Sequence, residues 1–185
     1  MRIVGGEFGG RALAAPRSQS IRPTSDRTRE SLFNILAHGY ADAVENARVL
    51  DLFAGTGAVG CEAMSRGARF VLFVEQAAEA RGLIQTNIEA LALHGRSKLF
   101  RRDATALGPR DRFDPFDLVF ADPPYGKGLG ERALTSAANG GWIAPGALVL
   151  LEERSDVEPV LPPSFEHLES RVFGDTTIHF QRYAA

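Results

Sequence analysis

The sequence has little cysteine and no long apolar segment, and each absence narrows the class of protein. Among 185 residues there is one cysteine, Cys61, which excludes an internal disulfide and a cysteine-based metal cluster. The longest apolar runs have the length of strands and are too short to span a bilayer. The N-terminal Met-Arg-Ile-Val-Gly-Gly is not followed by an apolar signal core. We therefore expect a cytoplasmic protein without a membrane segment or a bound metal.

Lysine is also scarce, so arginine carries almost all of the positive charge. Lys98 and Lys127 are the two lysines, and the formal net charge of −2 predicts no general attraction to nucleic acid. The distribution is uneven, because six arginines lie within residues 1–30 against three acidic residues. Two of them, Arg27 and Arg29, could pair with Asp26 or Glu30. The local excess nevertheless predicts a surface for RNA phosphates, with candidate contacts at Arg11, Arg17, Arg27 and Arg29. Lys127, further along the chain, is one more candidate contact.

The order of apolar runs and helical stretches predicts an α/β fold. Glycine pairs within residues 1–16 predict a small β-hairpin, and an apolar stripe over 28–38, capped by Ser25 or Asp26, predicts a helix. Apolar runs then alternate with helical stretches near 58–66, 77–93 and 129–139, which is typical of a parallel sheet buried on both faces. These runs lie at 49–53, 70–75, 98–102, 116–121 and 147–152. Two further runs, 171–173 and 176–183, predict a terminal antiparallel hairpin around Gly174-Asp175.

A glycine-rich loop follows the first parallel strand and leads into a helix. Gly55, Gly57 and Gly60 permit a sharp turn and the close approach of a ligand, next to the donors of a helix N-terminus. Glu75 ends the next strand, where its carboxylate can accept hydrogen bonds from a ribose diol. The same spacing fits the dinucleotide-binding fingerprint, and it also fits a tight turn without a ligand. The loop by itself leaves these interpretations open.

Carboxylates near the strand ends help to choose between these ligands. Asp51 lies four residues before Gly55, where its charge would repel a pyrophosphate but attract a cationic group such as the ammonium of S-adenosylmethionine. Asp103, after the third strand, could bind an adenine amino group or could cap a helix. Asp51 therefore favours S-adenosylmethionine over a dinucleotide, and the role of Asp103 stays open.

The motif Asp122-Pro123-Pro124-Tyr125 follows the fourth strand, at the sheet edge where open α/β proteins bind ligands. The exocyclic amine of a base is nearly planar, and its lone pair has to be freed before it can attack a methyl sulfonium. Asp122 and the Pro123 carbonyl can each accept one N–H, which draws the nitrogen towards tetrahedral geometry. Tyr125 offers a flat face to a base that has left its stack. A rigid turn with a packed tyrosine is the structural alternative, but the motif favours methylation of a base amine.

Together these motifs resemble those of the RsmD-type ribosomal RNA guanine-N2 methyltransferases of the bacterial small subunit, a group of S-adenosylmethionine-dependent enzymes. The resemblance covers almost the whole chain, including the run 22–34 that begins Arg22-Pro23-Thr24, the loop 51–60, the turn 122–125 and Gly174-Asp175-Thr176. It implies a Rossmann-like class I methyltransferase fold, with a seven-stranded, mostly parallel sheet ending in an antiparallel hairpin. It also implies two parts, an N-terminal hairpin and lid helix at 1–46 and a catalytic domain at 47–185.

The resemblance further implies roles for individual residues. The cofactor would be S-adenosylmethionine, bound by Arg22, Thr24, Asp51, Phe53, Gly55, Gly57, Gly60, Glu75, Gln76, Asp103 and Ala104. The catalytic residues would be Asp122, Pro123, Pro124 and Tyr125. The substrate would be the N2 atom of a guanine in 16S ribosomal RNA, conventionally guanine 966, within an assembled or assembling small subunit. The enzyme would be a monomer that uses no metal.

Other functions explain fewer of these motifs. A methyltransferase for DNA adenine would normally carry a separate target-recognition domain, for which residues 1–46 leave little room. An enzyme for protein glutamine would more often have Asn in place of Asp122. An NAD-dependent dehydrogenase is disfavoured by Asp51 and has no use for the Asp-Pro-Pro-Tyr turn. A catalytically idle RNA-binding module would not need that turn intact.

Overall fold

Runs of leucine, phenylalanine and β-branched residues form the strands of one central sheet. The computed structural model describes residues 1–184, and these residues contain seven strands in the order β3-β2-β1-β4-β5-β7-β6. Strands β1 to β5 pair in parallel, and β7 is antiparallel to both of its neighbours. The predicted mostly parallel sheet with a terminal antiparallel hairpin is confirmed. The strands are β1 Arg48–Leu52, β2 Phe70–Val74, β3 Ser97–Phe100, β4 Phe116–Ala121, β5 Ile143–Arg154, β6 Phe165–Phe173 and β7 Thr176–Tyr183.

Helices cover both faces of the sheet. The described residues form α1 Asp26–Gly39, α2 Ala58–Ser65, α3 Ala78–Ala90 and α4 Leu129–Asn139, together with a single 3-10 turn at Ala104–Ala106. One face packs against α1, α2 and α3 in a cluster that includes Phe33, Phe73 and Phe120. The other face packs against α4 and the fully buried Trp142. Burial on both faces explains why the parallel strands are continuous apolar runs.

The N-terminal hairpin belongs to the same apolar core. Its two arms pair through Ile3, whose N–H donates to the Arg11 carbonyl at 2.9 Å and whose carbonyl accepts from Gly10 at 2.8 Å. Ile3, Phe8 and Leu13 are buried in the cluster that α1 and α2 share with the sheet. The hairpin and α1 therefore pack directly on the parallel sheet.

A group of charges, two of them fully buried, connects the N-terminal segment to α2. Glu62 of α2 is fully buried and accepts hydrogen bonds from the backbone N–H groups of Val4 and Gly5, each at 3.0 Å. Arg29 of α1 is also fully buried; it lies 3.6 Å from Glu62 and donates to Asp26 at 2.6 Å. Buried charges are tolerated when they are paired and hydrogen-bonded in this way. We refer to Asp26, Arg29 and Glu62 as the charge cluster.

Three differences from the predicted elements go beyond shifts of a few residues at their ends, and each has a local reason. Strand β6 begins at Phe165 rather than at 171, because most side chains of this edge strand face solvent and form no apolar run. Strand β5 begins at Ile143, where the exposed Pro145 and Gly146 interrupt the apolar pattern. The 3-10 turn at Ala104–Ala106 is too short to show a helical period.

Two further observations apply to residues 1–184. No helix in this part of the chain combines the length and the apolar character needed to cross a membrane. The same residues contain no group of three or more His, Cys, Asp and Glu side chains arranged to hold a metal ion.

Candidate active site

The register of the parallel strands brings three chain segments together at one edge of the sheet. Leu52 of β1 pairs with Val74 of β2 and with Ala121 of β4. The glycine loop (residues 53–60), Glu75 and Asp122 follow these strands and therefore begin side by side. Open parallel sheets bind their ligands at this edge.

The glycine loop uses glycine for two different reasons. Gly55 and Gly57 have φ angles of 59° and 77°, in the left-handed region that glycine adopts without strain. A Cβ at Gly60 would lie 2.4 Å from the Cε1 atom of Phe73, so helix α2 could not pack this closely on β2. A Cβ at Gly55 would make only ordinary contacts, with the Cγ2 atom of Ile21 at 3.8 Å and the Phe53 carbonyl oxygen at 4.0 Å. The loop thus combines a tightly packed helix start with room above Gly55.

Asp51 is a buried carboxyl directly beneath this loop. It is 4% exposed, and its Oδ2 accepts a hydrogen bond from the Gly60 N–H at 3.1 Å. Burial, assisted by the nearby carboxyl of Glu75 and opposed by the Gly60 bond, raises the pKa of Asp51 to about 8. Phe53, two residues later, has a φ of 55°, and such strained backbone is typical of functional sites. A cationic ligand group would offset the cost of ionising Asp51.

Glu75 connects the loop to the segment after β2. Its Oε1 accepts from the Gly55 N–H at 2.8 Å, and its Oε2 accepts from the Ala77 N–H at 2.9 Å. Both oxygens keep a further lone pair, because a carboxylate offers about four acceptor positions. The neighbouring Gln76 is exposed. Glu75 is thus positioned to order the loop and to accept hydrogen bonds from a ligand.

Asp103 caps the 3-10 turn, which is one of the two roles considered for it. It accepts hydrogen bonds from the N–H and the hydroxyl of Thr105, at 2.8 and 2.7 Å. These bonds lower the pKa of Asp103, so it carries a negative charge at neutral pH. The adjacent Ala104 is buried beneath the turn. Contact between Asp103 and an adenine amino group stays a prediction.

Hydrogen bonds within the Asp122–Tyr125 turn and with strand β5 hold it in place. The hydroxyl of Tyr125 donates to Oδ1 of Asp122 at 2.9 Å, and the buried Glu153 of β5 accepts from the Gly126 N–H at 3.0 Å. Pro123 is buried, whereas Pro124 is exposed. Burial and the negative charge of Glu152 raise the pKa of Asp122 well above its usual range. The turn therefore presents a carboxyl that readily holds a proton.

Glu152 is a second carboxyl beside this turn, and it is not among the site residues predicted from the sequence. It accepts a hydrogen bond from the Thr176 hydroxyl at 2.8 Å, and Tyr125 lies within hydrogen-bonding reach of it. Burial raises the pKa of Glu152 as well. A signal was present in the sequence, because Glu152 ends the apolar run 147–152 much as Glu75 ends the run 70–75.

Residues 18–24, which we call the strap, cross from the hairpin to α1 in front of the site. Ser18 donates to Glu79 of α3 at 2.6 Å, and the Thr24 carbonyl accepts from Arg29 at 2.8 Å. Between these anchors the exposed Arg22 lies close enough to Asp122 and Glu152 for its charge to offset part of the rise in the pKa of each. The strap thus places one positive charge opposite two half-buried carboxyls.

Comparison with known proteins places this arrangement in a family. The model of the family described as Conserved hypothetical protein 95 matches residues 1–182. The chain is 35% identical to Ribosomal RNA small subunit methyltransferase D of Escherichia coli, over 100% of this chain and 91% of that protein. The chain belongs to the RsmD family. Another member, from Haemophilus influenzae, is 31% identical over 94% of this chain and 89% of its own length. The solved structure of the Escherichia coli protein yhhF covers 100% of this chain and 98% of its own, with 30% identity and a TM-score of 0.84. The Rossmann-like methyltransferase fold implied by the sequence is therefore confirmed.

The candidate RNA contacts of this RsmD-family chain differ in their exposure to solvent and in their hydrogen bonds. Arg17, Arg27 and Lys127 are exposed. Arg11 is exposed too, but its guanidinium donates to the Ala90 carbonyl at the end of α3. The prediction that Arg29 contacts RNA is wrong, because its side chain is fully buried in the charge cluster. The alternative considered for Arg29, pairing with Asp26, is the one observed.

Proposed function

We propose that the chain transfers a methyl group from S-adenosylmethionine to the exocyclic N2 atom of a guanine in 16S ribosomal RNA. The observation that carries the proposal is the Asp122–Tyr125 turn, which adjoins the glycine loop and holds a half-buried carboxyl beside an aromatic ring. The Escherichia coli relative is named as a small-subunit ribosomal RNA methyltransferase, which supports the choice of RNA. Guanine 966, in an assembled or assembling subunit, is the specific target that we propose.

The donor groups around the glycine loop fit S-adenosylmethionine. This cofactor would supply an electrophilic methyl group on a positively charged sulfur. Asp51 would face its ammonium, Glu75 its ribose hydroxyls and Asp103 its adenine amino group. The concentration of carboxyls at this edge opposes a pyrophosphate and suits a cation. Gly55 leaves room for the ligand above the loop, and Arg22 and Thr24 would close the site from the strap.

The Asp122 turn would then prepare the guanine amine. Asp122 and the Pro123 carbonyl would each accept one N–H of the amine, which localises the nitrogen lone pair, while Tyr125 would stack on the base. The raised pKa of Asp122 suits it to take one amine proton as the new N–C bond forms. Catalysis would rest on positioning and proton transfer by these residues, without a metal.

The segment 1–46 would contribute RNA contacts and close the cofactor site. Arg17 and Arg27 are exposed on it and would contact phosphates, as would Lys127 beside the catalytic turn. The basic surface of a chain with net charge −2 is small. We therefore propose that the monomer recognises a small subunit whose own proteins complete the binding surface.

A methyl-transfer assay tests the proposal. Small subunits isolated from a strain that lacks this gene are incubated with the protein and methyl-labelled S-adenosylmethionine, and the 16S ribosomal RNA is digested to nucleosides. The expected product is labelled N2-methylguanosine, formed by the wild-type chain and not by the Asp122→Ala variant. Label in an adenosine, or label only in DNA or protein offered in parallel, would contradict the proposal.

A further inference from the structure

Glu152 occupies a defined position next to Asp122. Ala121 of β4 and Leu151 of β5 are register partners, and Asp122 and Glu152 follow them directly. Residues in register on neighbouring parallel strands project to the same side of a sheet. Burial raises the pKa of both carboxyls, and the charge of Glu152 raises that of Asp122 further, which is consistent with their proximity. Two carboxyls therefore face the place where the catalytic turn would receive a base.

The contacts of Glu152 leave it free to bind a substrate. Its Oε1 accepts from the hydroxyl of Thr176, which is itself buried, at 2.8 Å. Thr176 lies on β7, so this bond orients the carboxyl from the strand on the far side of β5. The transfer chemistry proposed above uses Asp122, Pro123 and Tyr125, and it assigns nothing to Glu152. A carboxylate with one fixed donor has acceptor capacity left for another.

A guanine presents two kinds of donor along one edge, the N1–H and the neighbouring N2 amine. An adenine presents an acceptor at N1 instead, so a carboxylate at that position attracts guanine and repels adenine. Enzymes that act on extruded bases read this edge by hydrogen bonding. We propose that Glu152 accepts the N1–H of the target guanine while Asp122 accepts from its amine. Glu152 is then a specificity-determining residue, a role that rests on the proposed function.

The test compares guanine with 2-aminopurine, which keeps the 2-amino group but has no hydrogen on N1. Small subunits are reconstituted with 16S ribosomal RNA that is ligated to carry either base at the methylated position. Sites built to accept a hydrogen bond strongly reject a substrate that lacks the donor. We expect wild-type kcat/KM to favour guanine by at least about 100-fold. In Glu152→Gln the amide N–H can donate to N1, and the preference should fall below about 10-fold.

Matched measurements separate this role from a structural one. Glu166→Gln, an exposed acid-to-amide change on β6, should keep the wild-type preference. Thr176→Val removes the donor that orients Glu152 and should give an intermediate preference. The inference is overturned if Glu152→Gln lowers kcat/KM for guanine and for 2-aminopurine by the same factor. It is also overturned, without any variant, if the wild-type chain methylates 2-aminopurine as fast as guanine. Failure to methylate guanine-bearing subunits would instead refute the proposed function.

Discussion

Replacing Asp51 by Asn should stabilise the free protein while weakening its binding of cofactor. The Asn side chain has nearly the same shape, and its oxygen can still accept the 3.1 Å hydrogen bond from the Gly60 N–H. It carries no charge, however. The native carboxyl is 4% exposed, and its burial raises its pKa to about 8. The substitution therefore removes the cost of a buried negative charge and also removes the group that would attract the ligand ammonium.

The size of the effect follows from the two pKa values. The interval between the ordinary value of 3.8 and about 8 corresponds to roughly 5–6 kcal/mol, at about 1.36 kcal/mol per pH unit. The folded protein holds this proton more tightly than the unfolded chain does. The free energy of unfolding of the wild-type protein is therefore not reduced by Asp51 below about pH 4, and it falls as the pH rises from there to about 8. Relaxation of the structure around the ionised carboxyl reduces this cost. The free energy of unfolding of Asp51→Asn should therefore exceed that of the wild type by roughly 2–5 kcal/mol at pH 8.

Urea unfolding between pH 5 and pH 8.5 measures this difference, and titration calorimetry measures the affinity for S-adenosylmethionine. The gap in unfolding free energy between variant and wild type should widen steadily with pH, and affinity should fall at least about 10-fold. The exposed Asp42→Asn serves as a control that should show neither effect. A gap that does not depend on pH, or an Asn variant that is less stable than wild type at pH 8, would refute the reasoning.

Four further outcomes are expected. Glu75→Ala should weaken cofactor binding by roughly 1–3 kcal/mol in calorimetry, and unchanged affinity would contradict its assignment. Asp122→Ala should lower kcat about 100-fold or more with cofactor affinity unchanged; turnover at the normal rate would exclude the proposed chemistry. Gly60→Ala should destabilise by roughly 1–3 kcal/mol because of the 2.4 Å approach to Phe73, whereas Gly82→Ala, where a Cβ meets nothing within 4 Å, should not destabilise. Replacing Arg17 and Arg27 by Ala should reduce the slope of log affinity against log salt by about 0.7–0.9 per lost phosphate contact, and an unchanged slope would place the RNA elsewhere.

The alternation of strands and helices along the chain and the composition of the loops were predictable from the sequence because they depend on local patterns. Continuous apolar runs alternate with helices, and the glycine loop and the Asp122 turn each follow a run directly. Since parallel strands place their carboxyl ends at one edge, that pattern places Asp51, Glu75 and Asp122 at the same edge, whereas their side-by-side arrangement also requires the strand order β2-β1-β4.

Features that depend on contacts between distant segments were not predictable in this way. Arg29 resembles the exposed arginines around it, and its burial depends on Glu62, which a different helix supplies. The approach of Glu152 to Asp122 requires both the adjacency of β4 and β5 and their register. Edge strand β6 was only partly recognised, since its exposed side chains form no apolar run.

Under the proposed function, the two anchors of the strap would have a kinetic consequence for exchange of the cofactor. The charge cluster fixes α1 and the hairpin, and hydrogen bonds hold Ser18 and Thr24 in place. The part of the strap that could move as a gate would therefore be residues 19–23. Exchange of product for fresh cofactor would then be limited by the bending of this short segment and by the attraction of Arg22 to the carboxyls behind it. Turnover of the enzyme and the local flexibility of these five residues should therefore change together.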